Sequence, residues 1–519
     1  MMHAADSDQE KVFGFLSDPA THGGAAVQRI DTHAASVFLA GDRALKVKRA
    51  VRFPFLNYST LALRKAACDD ELTVNRRFAP QIYRRVVPIT TRRDGSLAID
   101  GSGEPVEWAV EMARFDISQT VDHLAEAGPL PPGLVTAIAD VIAASHDAAP
   151  RAETAPWVRA VPTIVEGVVS AFRSAKAFPA DAIDAIDAAG RGAAARLRPL
   201  LESRGEDGLV RHCHGDLHLA NIVVIDGKPV LFDAIEFDPQ LASVDVLYDL
   251  AFPLMDLLHY ERAEAANLLL NGYLARGAPS NIDGLATLPL FMAMRAAIRA
   301  EVMLARSGRD GPHADAVGRN AAAYFALAQR LLRRPAPRLV AVGGLSGTGK
   351  SVLARGLAAL VAPMPGAIVL RSDVVRKQRF GVKESERLPP EAYAPEVTEE
   401  VYRTLAQQAA RILGQGHSVI VDAVFARQAE RDAIRTHAGR LNRRFDGLYL
   451  DADLATRIAR VETRTADASD ADAAVVRRQQ QYPTEPNDWR PVDASGSAAQ
   501  TLRGAQGALE LSPETGACC

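Results

Sequence analysis

Residues 344–351 read GLSGTGKS and fill every position of the pattern G-x-x-x-x-G-K-[ST]. Such a loop needs a strand to enter it and a helix to leave it. The glycines turn successive N–H groups inward around an anion, and the positive end of the following helix points at the same place. The flanks agree, with the apolar run RLVAVGG before the loop and SVLARGLAALV at a helical period after it. Gly344, Gly347 and Gly349 supply the backbone freedom. Lys350 is placed to reach the β- and γ-phosphates of a nucleotide, and the Ser351 hydroxyl to ligate Mg²⁺.

Beyond the loop, β-like and helical segments alternate to about residue 485, the pattern of a parallel α/β sheet. AIVLRSD ends in Asp373 at the C-terminal end of an expected strand, where ligands of open α/β sheets collect. A carboxylate there suits proton abstraction from a substrate hydroxyl; capping the helix VVRKQRF is the plain alternative. SVIVDA carries Asp422, suited either to a Walker-B-type Mg²⁺ contact or to a turn. Residues 453–475 place Arg457, Arg460 and Arg464 around a helix end. Arg457 and Arg464 are seven apart, share a face, and are candidate phosphate contacts or plain surface charges. Over 336–490 the chain resembles small P-loop kinases of the zeta-toxin, gluconate-kinase and polynucleotide-kinase type, an AAA-type ATP-binding domain with a lid around DASDA at 467–471. That resemblance implies ATP, Mg²⁺ and an acceptor hydroxyl on a sugar, a nucleotide-sugar or a nucleic-acid end.

A second signature lies upstream. His214, Gly215 and Asp216 are followed by Asn221 and then by IVVIDGKPVLFD, ending at Asp233. The spacing is that of H-R-D-x-x-x-x-N, and the alternating run around Asp-Gly predicts a two-residue hairpin. In such a loop Asp216 orients and deprotonates the attacking hydroxyl, while Asn221 and Asp233 hold Mg²⁺. The HGD form resembles the aminoglycoside phosphotransferase and choline kinase superfamily. The resemblance implies an upstream ATP lysine with an acidic partner. ALKVK offers Lys46, framed by Leu45 and Val47, with Lys48 as rival; Glu71 is the expected partner, with Asp70 as rival. A phosphate-covering turn is expected near 32–36, without the G-x-G-x-x-G of protein kinases. Glu236 and Asp238 stand either by an acceptor pocket or in solvent, Asp249 is read as structural, and Arg295 with Arg299 as helix-face ion pairs, with a clamp for an acidic substrate as the alternative.

A chain of 519 residues exceeds one hydrophobic core, and 48% hydrophobic with 24% charged residues is ordinary for a folded protein. The formal net charge is -3, with 36 Lys+Arg against 41 Asp+Glu in 1–335 and 24 against 22 in 336–519. Neither half has the basic excess of a nucleic-acid binder, so no such partner is expected. A polycationic acceptor calls for a dense acidic cluster, and only Glu236, Asp238 and scattered carboxylates are present. Cys68, Cys213, Cys518 and Cys519 lack disulfide or zinc spacing, and no apolar run spans a membrane; a cytoplasmic protein is expected.

RRPAPR at 333–338 marks the seam. The expectation is an α+β, protein-kinase-like bilobal domain over 1–335, an α/β P-loop NTPase domain with a parallel sheet over 336–490, and a loose tail over 491–519. The function expected is a bifunctional ATP-dependent kinase acting on small hydroxyl-bearing molecules. Two alternatives stand beside it: a regulatory protein with one nucleotide domain as sensor, and a P-loop half acting on nucleic-acid 5′ ends.

Overall fold

Three antiparallel strands open the first sheet: β1 (Val27–Asp31), β2 (Ala35–Ala40) and β3 (Arg43–Lys48). Side chains alternate across a strand, so Leu45 and Val47 of β3 face one side and Lys46 and Lys48 the other. The first side is apolar: Val12, Phe13 and Leu16 of the helix Ala4–Ser17 pack on Phe38, Leu45, Val47, Val87 and Ile89. Each such buried side chain contributes roughly 1.5–3 kcal/mol.

The computed structural model describes residues 4–53, 56–307, 314–463, 468–482 and 488–511. It divides into two compact units, Met1–Val161 with Leu201–Asp256, and Pro162–Leu200 with Leu257–Cys519.

In the first unit, β4 (Arg52–Phe53) and β5 (Leu56–Asn57) form a small separate pair. The strands β6 (Tyr83–Thr91), β7 (Leu97–Ile99) and β8 (Glu104–Ala113) complete a six-stranded sheet in the order β1-β2-β3-β8-β6-β7. The helix Leu61–Asn75, capped by the Thr60 hydroxyl, buries Ala67, Cys68 and Glu71. Further on, β9 (Val210–His212) pairs with a later strand, while β10 (Ile222–Ile225) and β11 (Lys228–Leu231) form the hairpin. Asp226 and Gly227 take φ of 50° and 74°, the two positive values of a type I′ turn. The partner of β9 is β12 (Ser243–Asp245), whose Asp245 receives both Arg204 Nε and Nη2 at 2.7 Å in a buried pair.

The second unit holds five parallel strands: β13 (Arg338–Gly344), β14 (Ile368–Arg371), β15 (Val419–Asp422), β16 (Arg444–Asp451) and β17 (Arg490–Asp493). Their order is β14-β15-β13-β16-β17. Val340, Val342, Ile420, Leu448 and Leu450 are buried with Leu353 and Leu357 of the helix Lys350–Ala358. The same core takes Ala505 of the helix Ala498–Ala508. The loose tail expected from 491 is therefore corrected: over 491–511 it supplies the edge strand β17 and a packed helix. Its Ala/Gly-rich composition fits a close helix against the sheet, and residues 512–519, with Cys518 and Cys519, lie outside the described residues.

The seam at 333–338 lies inside the second unit, because helices before it pack with the P-loop sheet. On the helix Ala263–Arg276, Asn267 Nδ2 donates to Ala367 O at 3.0 Å. Asn271 accepts from Val369 N–H at 2.8 Å and donates to Ala367 O at 3.2 Å. These amides close the open edge of β14. Among the described residues no helix is long and apolar enough to cross a membrane.

Candidate active sites

In the first unit, Lys46 Nζ lies 2.8 Å from Glu71 Oε1 and 2.6 Å from Asp233 Oδ1. Glu71 has no exposed side-chain surface; burial opposes its charge, yet the Lys46 and Lys48 ammoniums hold its carboxyl down to about 2. Burial also opposes the charge on Lys46, but Asp233 and Glu71 raise its pKa well above the usual range. Lys48, the rival, turns inward to Glu71 Oε2 at 2.6 Å and Glu236 Oε1 at 2.5 Å. Glu236 is thus neither free in solvent nor open to an acceptor, and Asp238 caps a short helix through Gln240 N–H.

The HGD loop is held from below. Asp249 Oδ1 accepts from Gly215 N–H at 2.9 Å, and its Oδ2 accepts from His214 N–H at 3.2 Å and lies 3.1 Å from His146 Nε2. Asp256 accepts from Leu219 N–H at 3.0 Å. Gly215 takes φ 84° with Ala242 Cα only 3.2 Å from where a Cβ would sit, so the loop needs glycine there. His214 Nε2 donates to Phe232 O at 2.9 Å, joining the loop to the end of the hairpin. Asn221 Nδ2 donates to Asp216 O at 2.9 Å and lies 3.3 Å from Asp216 Oδ2.

Asp233 has φ 60°, in the left-handed region that Asp tolerates. Its N–H donates to Tyr83 Oη at 3.1 Å, and the next N–H, of Ala234, donates to Asn75 Oδ1 at 2.7 Å. The side chains of Asp216 and Asp233 remain 42% and 44% exposed, open for a substrate and a cation. Lys46, Glu71, Asp216, Asn221 and Asp233 are thus all built into one unit. The turn at 32–36 is a tight β1–β2 connection, with Thr32 Oγ1 accepting from Ala35 N–H at 3.0 Å.

In the second unit, Gly344, Gly347 and Gly349 take φ of 138°, 86° and 91°. A Cβ on Gly347 would lie 2.5 Å from Arg457 O, so close approach as well as conformation demands glycine. Ser351 Oγ donates to Asp422 Oδ2 at 2.6 Å, and Arg371 Nη2 donates to Ser351 Oγ at 3.1 Å. Lys350 Nζ donates to Leu345 O at 3.0 Å. Loop, Asp373 and Asp422 line one cleft of about 1520 Å³. Burial first, then the neighbouring Asp422 carboxylate, pushes the Asp373 carboxyl up.

Arg457 departs from the expected phosphate contact. Arg457 is 2% exposed and lies under the loop: its Nε donates to Ser346 O at 2.9 Å and its Nη1 to Gln480 Oε1 at 3.0 Å. It braces the loop instead of facing the cleft, because the chain after the helix Leu454–Glu462 folds back through the helix Ala473–Gln479. Arg460, one turn on, lines the cleft. Arg464 lies outside the described residues.

Sequence reading missed four groups. Arg371 stands at the strand end two residues before Asp373, a position that could have identified it. Asp470, inside the DASDA segment, accepts from Leu388 N–H at 3.0 Å and Tyr393 Oη at 2.8 Å and pairs with Lys377 at 3.0 Å. Gln479 Oε1 accepts from Ser346 N–H at 2.7 Å, and Asn75 carries the segment after Asp233; neither has a local signal.

Both sites offer hard oxygen donors suited to Mg²⁺: the Asp233 carboxylate and the Asn221 amide in the first unit, and the Ser351 hydroxyl against Asp422 in the second. The His146, Cys213 and Asp249 cluster is fully buried, and both Asp249 oxygens already accept backbone N–H groups.

The model of the phosphotransferase enzyme family matches residues 42–285, and that of an AAA domain matches 339–486. The uncharacterized protein Rv2004c of Mycobacterium tuberculosis is 31% identical over 457 residues, covering 86% of this chain and 88% of its own. Among solved structures, a choline/ethanolamine kinase family protein from Mesorhizobium loti is 16% identical, with 63% of this chain and 100% of that one covered at a TM-score of 0.38. A gluconokinase from Sinorhizobium meliloti is 19% identical, with 34% and 93% covered at a TM-score of 0.25. The chain belongs to the family of the mycobacterial protein and is an ATP-dependent kinase, with a phosphotransferase-family domain followed by a P-loop kinase-like domain.

Proposed function

We propose that the chain is bifunctional, its phosphotransferase-family domain and its P-loop domain each moving the γ-phosphoryl of Mg-ATP to a hydroxyl of a small molecule. The observation that carries this reading is Lys46 Nζ held between Glu71 and Asp233, in the same unit as an Asp216 side chain that is 42% exposed, a complete set of residue types for phosphoryl transfer. Lys46 binds nucleotide phosphates, Glu71 orients it, and Asp216 takes the proton of the acceptor hydroxyl. Asn221 and Asp233 hold Mg²⁺, which when bound neutralises charge on the phosphates. In the second half the loop N–H groups and Lys350 bind phosphates, Ser351 and Asp422 hold Mg²⁺, and Asp373 is the base. A raised carboxyl pKa strengthens that assignment, since a stronger base takes a hydroxyl proton more readily.

The acceptors are sugars, amino alcohols or aminoglycoside-like molecules. The cleft that holds Asp373 is lined by eight Lys and Arg side chains and six Asp and Glu side chains, a mixture of signs and not a uniformly basic groove, which suits a small polar acceptor better than a nucleic-acid end. Cys68 and Cys213 are buried and form no disulfide, which suits the cytoplasm.

The test is to incubate the full chain with Mg-ATP and a library of sugars, amino alcohols, nucleosides and aminoglycosides. Products are read by mass for the wild type, Asp216→Ala and Lys350→Ala. Each variant is expected to lose a different product. ATP bound at both sites with no phosphorylated acceptor moves the regulatory reading ahead, and a product on oligonucleotide 5′ ends, lost in Lys350→Ala, replaces the small acceptor in the second half.

A further inference from the structure

One strand lysine suffices for a kinase-type nucleotide site, yet β3 presents two on one face, and both are tied to the same carboxylate. Glu71 gives Oε1 to Lys46 and Oε2 to Lys48. The second contact of Lys48 is Glu236, three residues after Asp233, and its ammonium lies 5.4 Å from the centre of the Tyr58 ring. The Lys48 side chain is 3% exposed and that of Glu236 7%, whereas Lys46 and Asp233 sit at the open side with 14% and 44%. Lys48 is enclosed by Glu71, Glu236 and Tyr58, out of reach of a nucleotide entering from that side.

We propose that Lys48 is a positioning residue: it occupies Glu236 and the second oxygen of Glu71, and so leaves Lys46 free to turn toward nucleotide phosphates. The charges give the reason. Lys46 and Lys48 face three carboxylates, the buried Glu71 and Glu236 and the Asp233 group, whose exposure lets water screen it. Without Lys48, two buried carboxylates face one ammonium, and an uncompensated buried charge is costly enough to draw in the nearest counter-ion. That counter-ion is Lys46, which Glu236 already influences electrostatically. Lys48 also pins Glu236, and with it the segment leaving Asp233, to β3 and to the helix Leu61–Asn75.

The inference rests on the reading that Lys46 contacts ATP, and the experiment separates the two. The full chain carrying Lys350→Ala, which silences the P-loop site, is titrated with a fluorescent ATP analogue and Mg²⁺, with a thermal melt for each variant. Lys46→Ala comes first: affinity equal to the parent's overturns the reading of the site itself. With Lys46→Ala weak, Lys48→Met is expected to lose about tenfold or more in affinity. Lys48→Met combined with Glu236→Gln is expected to recover to within about threefold of the parent, since neutralising Glu236 removes the competitor for Lys46. Full affinity in Lys48→Met alone overturns the proposal. So does a double variant as weak as Lys48→Met, which makes Lys48 itself a nucleotide ligand. If Lys48→Met fails to fold, the double variant against the parent decides: near-parent affinity supports the positioning role, and a loss like that of Lys46→Ala overturns it.

Discussion

Ser351 Oγ donates to Asp422 Oδ2 at 2.6 Å, joining the first turn of the P-loop helix to the end of strand β15. The bond sets a hydroxyl and a carboxylate side by side at the mouth of the loop, with Arg371 Nε 3.4 Å from the same carboxylate oxygen. Under the proposed function these two oxygens are the Mg²⁺ ligands. Asp422→Asn keeps the shape and removes the charge. It is expected to lower Mg²⁺-dependent turnover of the P-loop half by on the order of 10²-fold. Initial rates across a Mg²⁺ series check this, and products that need Asp216 should be unaffected.

Glu71 is the stability counterpart in the other half. It is fully buried against Lys46 and Lys48, and removing one partner of a buried pair costs about 3–5 kcal/mol. Glu71→Ala is expected to lose stability on that scale, read as a lower denaturant midpoint of the first unit's transition. Its carboxyl is held at about 2 in the fold against 4.5 as the ordinary value. A depressed carboxyl stabilises the fold fully above the ordinary value, and that contribution is lost as pH falls from about 4.5 toward about 2. Melts of wild type and Glu71→Gln over that window should converge toward low pH as the wild type loses its advantage.

Asp373 behaves oppositely. Burial and Asp422 raise its carboxyl, so the base form is lost on acidification at a higher pH than for an ordinary aspartate. The acid limb of the P-loop half's rate should sit above 3.8, and Asp422→Asn should move it down by removing a neighbouring negative charge. Asp373→Asn is expected to cost about 10²–10⁴-fold in kcat with nucleotide binding intact. A helix-capping role alone would leave kcat nearly unchanged.

What could be read from the sequence was what local chemistry dictates. The glycine spacing at 344–351 and the run from His214 to Asp233 each demand a loop of defined shape, and the alternation around Lys46 places it on a polar strand face. Long-range packing was out of reach. Arg457 and Arg460 are equally cationic in sequence, and only the return of the helix Ala473–Gln479 decides which is buried beneath Ser346 and which meets the cleft. Asn75 and Asp470 act through partners 159 and 82 residues away, at Ala234 and Leu388. The tail was misjudged because Ala and Gly signal looseness locally, while against a sheet they permit close packing.

The seam at 333–338 carries the last prediction. Cutting there suggests itself from sequence, but the edge strand β14 is capped by Asn267 and Asn271, which both lie more than 60 residues before the seam. Val369 N–H and Ala367 O find their partners in those amides, and a buried amide left without one costs about 1–3 kcal/mol. Asn271→Leu in the full chain is therefore expected to destabilise the P-loop sheet by that amount, and to speed hydrogen exchange at Val369 more than at Ile420 in the sheet interior. A fragment starting at residue 336 loses both amides and should exchange faster still along β14. β14 leads directly into Arg371 and Asp373, so the fragment should also turn over more slowly than the full chain. Equal exchange at Val369 in all three proteins would mean that the asparagine pair lies on the edge without protecting it.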